Sequence, residues 1–549
     1  MDRVVARADG VTRGPGRAGR DDHLGRLVVL LVGVLVAGPV LAVLWRTFMP
    51  AGALDAEALP RILGSPRTWR LVVLTVGQAI ASCAVTLLVG VPVAWVIQRF
   101  SFPGRTAVRS VATIPFVLPT VVVGAAMASM FGPRGLVDLR GSWWPILAAH
   151  LCFNLAVVLR TVGSALSAVP ADLEPAARLL GASRVGAARR VVLPIIAPSI
   201  AAAGVVVFLF CLTSFGVVVI LGGGRVSTIE VEIWTRATRQ FDLSGAGVLC
   251  LLQLLAVVAT LAVHARITEG RSGSGTTAGA RRVRPVGTEW LLVAATVLAV
   301  GMVSLLPILA VVERSMRVGS GWGFQNWAQL GSVDPGSGLQ VAPWHAVLVS
   351  IATSAVATVG AVALGSAVVR SVAARPGGMG DRLMLLPLGV SSTTIGLGLL
   401  LLVGRPPVDL RGSWWLVPIG QALVAMPLVV RVVLPAVRAL PPSVVDAASL
   451  LGVDERGRWW RVQLPMLRGA FGAGAGLALV ACLGEFGATA FLARGSRPTV
   501  PVAIERLMSR PAGAGFGQAM ALSCVLVVIC AVVVMVVDRV MGDEEAGLF

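Results

Sequence analysis

The 549-residue chain contains no lysine, and all 46 of its basic residues are arginine. That absence excludes several chemistries. A phosphate-binding loop of the GxxxxGK[ST] type needs its lysine, and Schiff-base or lysine-base mechanisms need an amine that can lose its proton. If nucleotide hydrolysis powers this chain, another polypeptide performs it. Histidine is scarce too: His23, His150, His264 and His345 are scattered and form no ligand cluster. The seven cysteines (Cys83, Cys152, Cys211, Cys250, Cys482, Cys524 and Cys530) lie inside apolar runs without CxxC spacing. They read as small buried hydrophobes, and no metal or cofactor is expected. Charged residues make up 13%, against about 25% in an ordinary soluble domain.

What the chain has in quantity is hydrocarbon. Hydrophobic residues make up 56%, the mean hydropathy is +0.86, and runs such as 27–44, 291–310 and 519–537 are long enough to cross a bilayer. The pattern predicts an all-α polytopic membrane protein with twelve spans, at 27–48, 71–98, 110–131, 144–168, 198–221, 244–266, 289–313, 345–373, 382–404, 414–437, 468–493 and 515–541. The basic, Gly-rich residues 1–26 read as a disordered cytoplasmic tail, and residues 542–549 as a short C-terminal one. With the first tail inside, the inside segments hold 27 arginines and the outside segments 17, with Arg160 and Arg431 inside spans. The bias favours a cytoplasmic N-terminus in a plasma membrane. The net charge of +19 is thus explained by topology; no basic stripe with interleaved aromatics marks a nucleic-acid partner.

Residues 268–287, TEGRSGSGTTAGARRVRPVG, form a cytoplasmic linker by composition. It separates two six-span repeats, 27–267 and 288–541. An even number of spans per half makes the repeats parallel, related by an axis along the membrane normal. The octapeptide VDLRGSWW supplies the register, occurring at 137–144 and again 271 positions later at 408–415. Its paired tryptophans suit an interfacial aromatic belt.

Adding 271 aligns two loops on the inside face. PADLEPAARLLGASRVGAARRVVLP follows the fourth span, and PPSVVDAASLLGVDERGRWWRVQLP follows the tenth. Each reads as a short helix, a glycine turn and a second helix ending in Leu-Pro. Asp172 and Ser443 are the expected N-caps, with Ser443 and Asp446 forming a capping box. The shared Ala-Ala-x-x-x-Gly, with an acid upstream and a proline thirteen residues beyond the glycine, resembles the EAA loop of membrane permeases of ABC importers. The resemblance implies a type I ABC importer permease that performs no covalent chemistry itself. Its partners would be two copies of a separate ATPase, an extracytoplasmic solute-binding protein and membrane lipid. It also implies ATPase-coupling roles for Glu174, Ala176, Ala177, Gly181, Pro194, Asp446, Ala447, Ala448, Gly452 and Pro465. The first loop departs from the pattern, since Pro175 holds the acidic position and Glu174 precedes it.

Fused two-half chains of this kind are similar to the thiamine and ferric-iron transport permeases. FLFCLTSFGVVVILGGGRVSTIEVEIW looks like the thiamine type, whereas the Glu-Phe-Gly of CLGEFGATAFLARGSRPTVPVAI is shared with iron permeases. A small cationic solute is therefore expected, thiamine ahead of ferric iron. Glu485 is the one acid placed well inside an expected span, with Ser214 as its counterpart, and both are candidates for the solute path. Pairing of Glu485 with Arg494 is the structural alternative. An ion-coupled secondary transporter is the competing class, although it would need more membrane carboxylates than Glu485.

Overall fold

The computed structural model describes residues 18–49, 57–268, 282–373, 390–510 and 515–541, apart from 134, 136, 334–335, 337, 406–407 and 455–456. Hydrocarbon offers no partner for a free peptide group, so apolar segments close their own hydrogen bonds as helices. Among the described residues eight helices are long and apolar enough to cross a membrane. Two bent pairs join them, Arg105–Val117 with Thr120–Phe131 at 105° and Arg458–Met466 with Arg468–Gly484 at 69°, as do the shorter apolar helices Gly33–Phe48 and Ser392–Leu402. Taken in order, these twelve elements fall on the twelve expected spans. The first helix begins at Ala18, within the stretch read as tail. Residues 1–17 and 542–549, linker residues 269–281 and the first part of the expected ninth span lie outside the described residues.

The membrane and loop helices of the first half are α1 (Ala18–Phe48), α2 (Pro66–Arg99), α3 (Arg105–Val117), α4 (Thr120–Phe131), α5 (Trp144–Ser167), α6 (Leu173–Leu179), α7 (Leu193–Leu212), α8 (Gly216–Leu221), α9 (Ile229–Thr235) and α10 (Leu243–Thr268). Those of the second are α11 (Glu289–Met316), α12 (Pro343–Val372), α13 (Ser392–Leu402), α14 (Leu416–Arg438), α15 (Pro442–Leu450), α16 (Arg468–Gly484), α17 (Thr489–Leu492), α18 (Val500–Met508) and α19 (Phe516–Met541). In the first half α2, α5 and α7 pack mutually, and α12, α14 and α16 repeat the arrangement. Close approach depends on small residues: a Cβ on Gly90 of α2 would lie 2.9 Å from Val158, and one on Gly365 of α12 would lie 3.0 Å from Val429. Val158 and Val429 are themselves 271 apart.

The halves interlock. Helix α1 packs on α13 and α12 of the second half, and its counterpart α11 packs on α4 of the first. One buried cluster accordingly combines Val36, Ile233 and Leu249 with Ala361, Met426 and Leu492. The end of the linker is fastened as well: the Ser101 N–H donates to the Val283 carbonyl at 2.9 Å, and the Val283 N–H to the Arg99 carbonyl at 3.1 Å.

Candidate solute pathway and partner surfaces

The expected fifth and eleventh spans, 198–221 and 468–493, both stop short. Helix α7 ends at Leu212 and α16 at Gly484, and the chain restarts as α8 and α17 after a short break. Carbonyls freed at a helix end need partners in an apolar setting. The amide of Gln78 donates to the Cys211 carbonyl at 2.8 Å, and that of Gln421 to the Cys482 carbonyl at 2.9 Å. The two cysteines are 271 apart and both are free thiols, as are the other five.

Within the breaks lie Ser214-Phe215-Gly216 and Glu485-Phe486-Gly487. A Cβ on Gly216 would sit 2.7 Å from the Thr120 hydroxyl and 3.3 Å from the Phe486 ring, and one on Gly487 would collide with Ser392. Bare Gly216 lets the first break close on Phe486 of the second, and bare Gly487 lets the second break meet the start of α13. Phe215 and Phe486 stack with centroids 5.1 Å apart and planes 24° apart. Their numbers differ by 271, so these are symmetry-equivalent residues in mutual contact. Such a contact lies on the pseudo-two-fold axis. Both rings are buried, and Trp234 of α9 meets Phe215 edge-on at 6.0 Å.

Glu485 sits one residue past the end of α16 rather than within a continuous span. Its two carboxylate oxygens accept the backbone N–H groups of Ala488 and Thr489 at 2.7 and 2.9 Å, which are orphan donors at the start of α17. Arg494 does not reach it; that guanidinium donates to the Arg411 carbonyl at 3.0 and 2.6 Å. Ser214 is half-buried at the first-half break. Sequence reasoning missed a second carboxylate, Glu230, which is fully buried and accepts from the Thr393 hydroxyl of the other half. Among the described residues its other oxygen accepts no well-formed hydrogen bond, and the indole N–H of Trp234, one turn along α9, donates none. The available signal was the string TIEVEIW, whose acid and tryptophan four residues apart share a helix face. Among the described residues no three His, Cys, Asp or Glu side chains converge as a metal site.

At one end of the molecule the two EAA-like loops repeat each other. Gly181 and Gly452 adopt φ of +90° and +75°, the left-handed conformation that ends a helix. Before them lie Leu179 and Leu180, each 89% exposed, and Leu450 and Leu451 at 88% and 83%. These two leucine pairs are 271 apart and were not singled out from the sequence. Ala176 and Ala447 are exposed and Ala177 is half-buried, whereas Ala448 is buried. Asp172 is the N-cap of α6, and among the described residues its side chain makes no capping hydrogen bond. The cap of α15 is Pro441, with Pro442 at the first helical position, so Ser443 lies inside the helix and the expected capping box is absent. Proline fixes the φ that a first helical residue needs.

Pro194 and Pro465 share a further feature. Each follows a π-turn, in which Leu193 N–H bonds the Ala188 carbonyl and Leu464 N–H the Trp459 carbonyl, five residues back. A proline ring crowds the carbonyl four residues earlier and offers no N–H, so the turn widens. Asp446 is exposed, whereas Glu174 is held by Arg99 of α2 through both prongs of the guanidinium, the second bond being 2.9 Å.

At the other end the VDLRGSWW loops share one turn. Arg140 binds Asp138 at 2.9 Å and Arg411 binds Asp409 at 2.7 Å, each aspartate also accepting the backbone N–H of its arginine. Hydrogen bonding from Arg411 pulls the Asp409 carboxyl down to about 2. The two octapeptides therefore share one aspartate–arginine turn ahead of α5 and α14, and Trp144 and Trp415 beside it are exposed.

The family model of the binding-protein-dependent transport system inner membrane component matches residues 86–318 and again 384–541. The chain belongs to this family. It is thus an ABC importer permease of two fused repeats, a multi-span protein of the inner membrane. The permease is 27% identical to the thiamine transport system permease protein ThiP of Brucella abortus (strain 2308) over 95% of each chain. It is 26% identical to the probable ABC transporter permease protein y4fN of Sinorhizobium fredii, over 88% of this chain and 90% of that one. The sulfate transport system permease protein CysT of Salmonella typhimurium is 31% identical over 34% of this permease and 74% of its own length.

Proposed function

We propose that this permease carries thiamine, or a closely similar organic cation, inward by alternating access. The observation that supports this reading is the Phe215–Phe486 stack, where two symmetry-equivalent side chains close the axis between the halves. A path on that axis opens when the halves rotate apart and shuts when the rings meet. Thiamine is a cationic aromatic solute, and the closure is built of matching chemistry. Three aromatic rings stand beside two buried carboxylates, Glu230 and Glu485, which approach the start of α13 through Thr393 and Ser392. Aromatic faces and carboxylates both favour a cation and oppose an oxyanion such as sulfate. The end-to-end similarity to the ThiP permease supports the same choice.

In this reading the EAA-like loops face the cytoplasm, and the leucine pairs of α6 and α15 enter grooves on two copies of an ATPase. The VDLRGSWW end faces the binding protein, and the N-terminus is cytoplasmic. Proteoliposomes holding the permease, its ATPase and its binding protein provide the test. ATP-dependent uptake of labelled thiamine, with none of ferric iron or sulfate, is the expected result. Uptake of sulfate without thiamine would reject the cationic assignment.

A further inference from the structure

The two EAA-like loops have one fold but different internal fastenings. Arg99 ends α2, stacked over Trp95 at 5.0 Å and near Phe100 at 5.8 Å, and binds Glu174 of α6 with both prongs. Both side chains of this pair are 20% exposed. Between α2 and α12 the register is 275, since Thr75 and Ser350 accept the equivalent N–H groups of Ile229 and Val500, and Gly90 and Gly365 meet Val158 and Val429. Arg99 therefore falls on position 374, outside the described residues, and Arg370 in the last turn of α12 falls on Trp95. The counterpart of Glu174 is Val445, so the ion pair cannot be repeated. Arg370 instead stacks over Trp459 at 5.3 Å, and Trp459 meets Phe471 edge-on at 6.3 Å. The counterpart of Trp459 is Ala188, so the first half cannot repeat the stack either. An arginine near the end of a membrane helix thus lies against the loop in both halves, at its first leg in one and its second in the other, from positions that are not symmetry-equivalent.

We infer that Arg99 and Arg370 are positioning residues that tie each loop to a membrane helix, and that Glu174 is consumed in this tether. Asp446, exposed and shifted by one position to the place that Pro175 holds in the first loop, is then the acid presented to a basic group of the ATPase. The first loop would meet its ATPase copy through Leu179 and Leu180 without an ionic contact. The backbone of Arg99 also pairs with Val283, so movement of α6 reaches both α2 and the segment leading into the second half. This inference rests on the coupling role proposed above.

A double-mutant cycle with two readouts tests it, uptake per ATP hydrolysed and retention of the ATPase on the purified permease. Removing one member of a half-buried ion pair strands the other charge, so single loss is worse than joint loss. Glu174→Gln and Arg99→Gln should each reduce coupled uptake about tenfold. The joint variant should do no worse than either, and the exchange Arg99→Glu with Glu174→Arg should recover uptake. ATPase retention should survive Glu174→Gln and weaken with Asp446→Asn. The inference is overturned if the effects at 99 and 174 simply add, if neither variant alters uptake, or if Glu174→Gln weakens retention as much as Asp446→Asn. Changing Leu179, Leu180, Leu450 and Leu451 together to aspartate separates the two levels. Undiminished uptake in that variant defeats the coupling role itself. Its loss, together with additive effects at 99 and 174, defeats the tether alone.

Discussion

Single residues at the two EAA-like loops are constrained by backbone conformation rather than by space. Among the described residues, chain neighbours aside, nothing lies within 4 Å of where a Cβ on Gly181 or Gly452 would stand, yet both have positive φ. A substitution there meets only the strain of the left-handed region, about 1–2 kcal/mol for an ordinary residue. Gly452→Val should therefore uncouple ATP hydrolysis from uptake while the permease still inserts and purifies. Gly452→Asn should be tolerated much better, because asparagine adopts that conformation at low cost. Uptake per ATP in the two variants checks this, and equal loss in both would point to a steric cause. The sequence disclosed these glycines through repeated spacing alone. It did not disclose the partner of Glu174, because a contact between residues 99 and 174 leaves no periodic trace.

Helices show the same division between what repeats and what must meet. Apolar runs placed the spans well, since hydrocarbon length alone sets them. They misplaced the ends of the fifth and eleventh, where the apolar character continues through a break: Phe215 and Phe486 are as hydrophobic as the helices they leave. Glu485 was misread for that reason, as a charge inside a helix rather than a cap on the next one. The π-turns before Pro194 and Pro465 are a device of this scale. Pro194→Ala restores an N–H and removes the ring, so the widened turn can relax to ordinary α-helix. One residue fewer per turn rotates the upstream leg by about 100° relative to α7. Spin labels placed on α6 and on α2 should report a changed separation in Pro194→Ala, with coupled uptake reduced. An unchanged separation would show that packing, not proline, holds the turn.

The whole molecule adds what neither residue nor helix contains, the axis. The 271-residue register exposed the duplication, but nothing in it says that residue 215 touches residue 486. That contact belongs to the assembled pair of halves, in which α1 and α11 each also pack across to the other half and the two breaks meet face to face. If the stack closes the path, its removal should leave a passage that no longer needs ATP. Phe215→Ala with Phe486→Ala should admit labelled thiamine into liposomes in the absence of ATPase, and each single variant should leak less than the pair. Leucine at both positions should restore most of the seal, because bulk and dryness matter more here than ring geometry. The binding protein should make no difference to the leak, since an open path has no gate for it to trigger. A double-alanine permease that stays tight without ATP and still transports with it would move the closure elsewhere along the axis, with the carboxylates Glu230 and Glu485 the next groups to examine for the barrier.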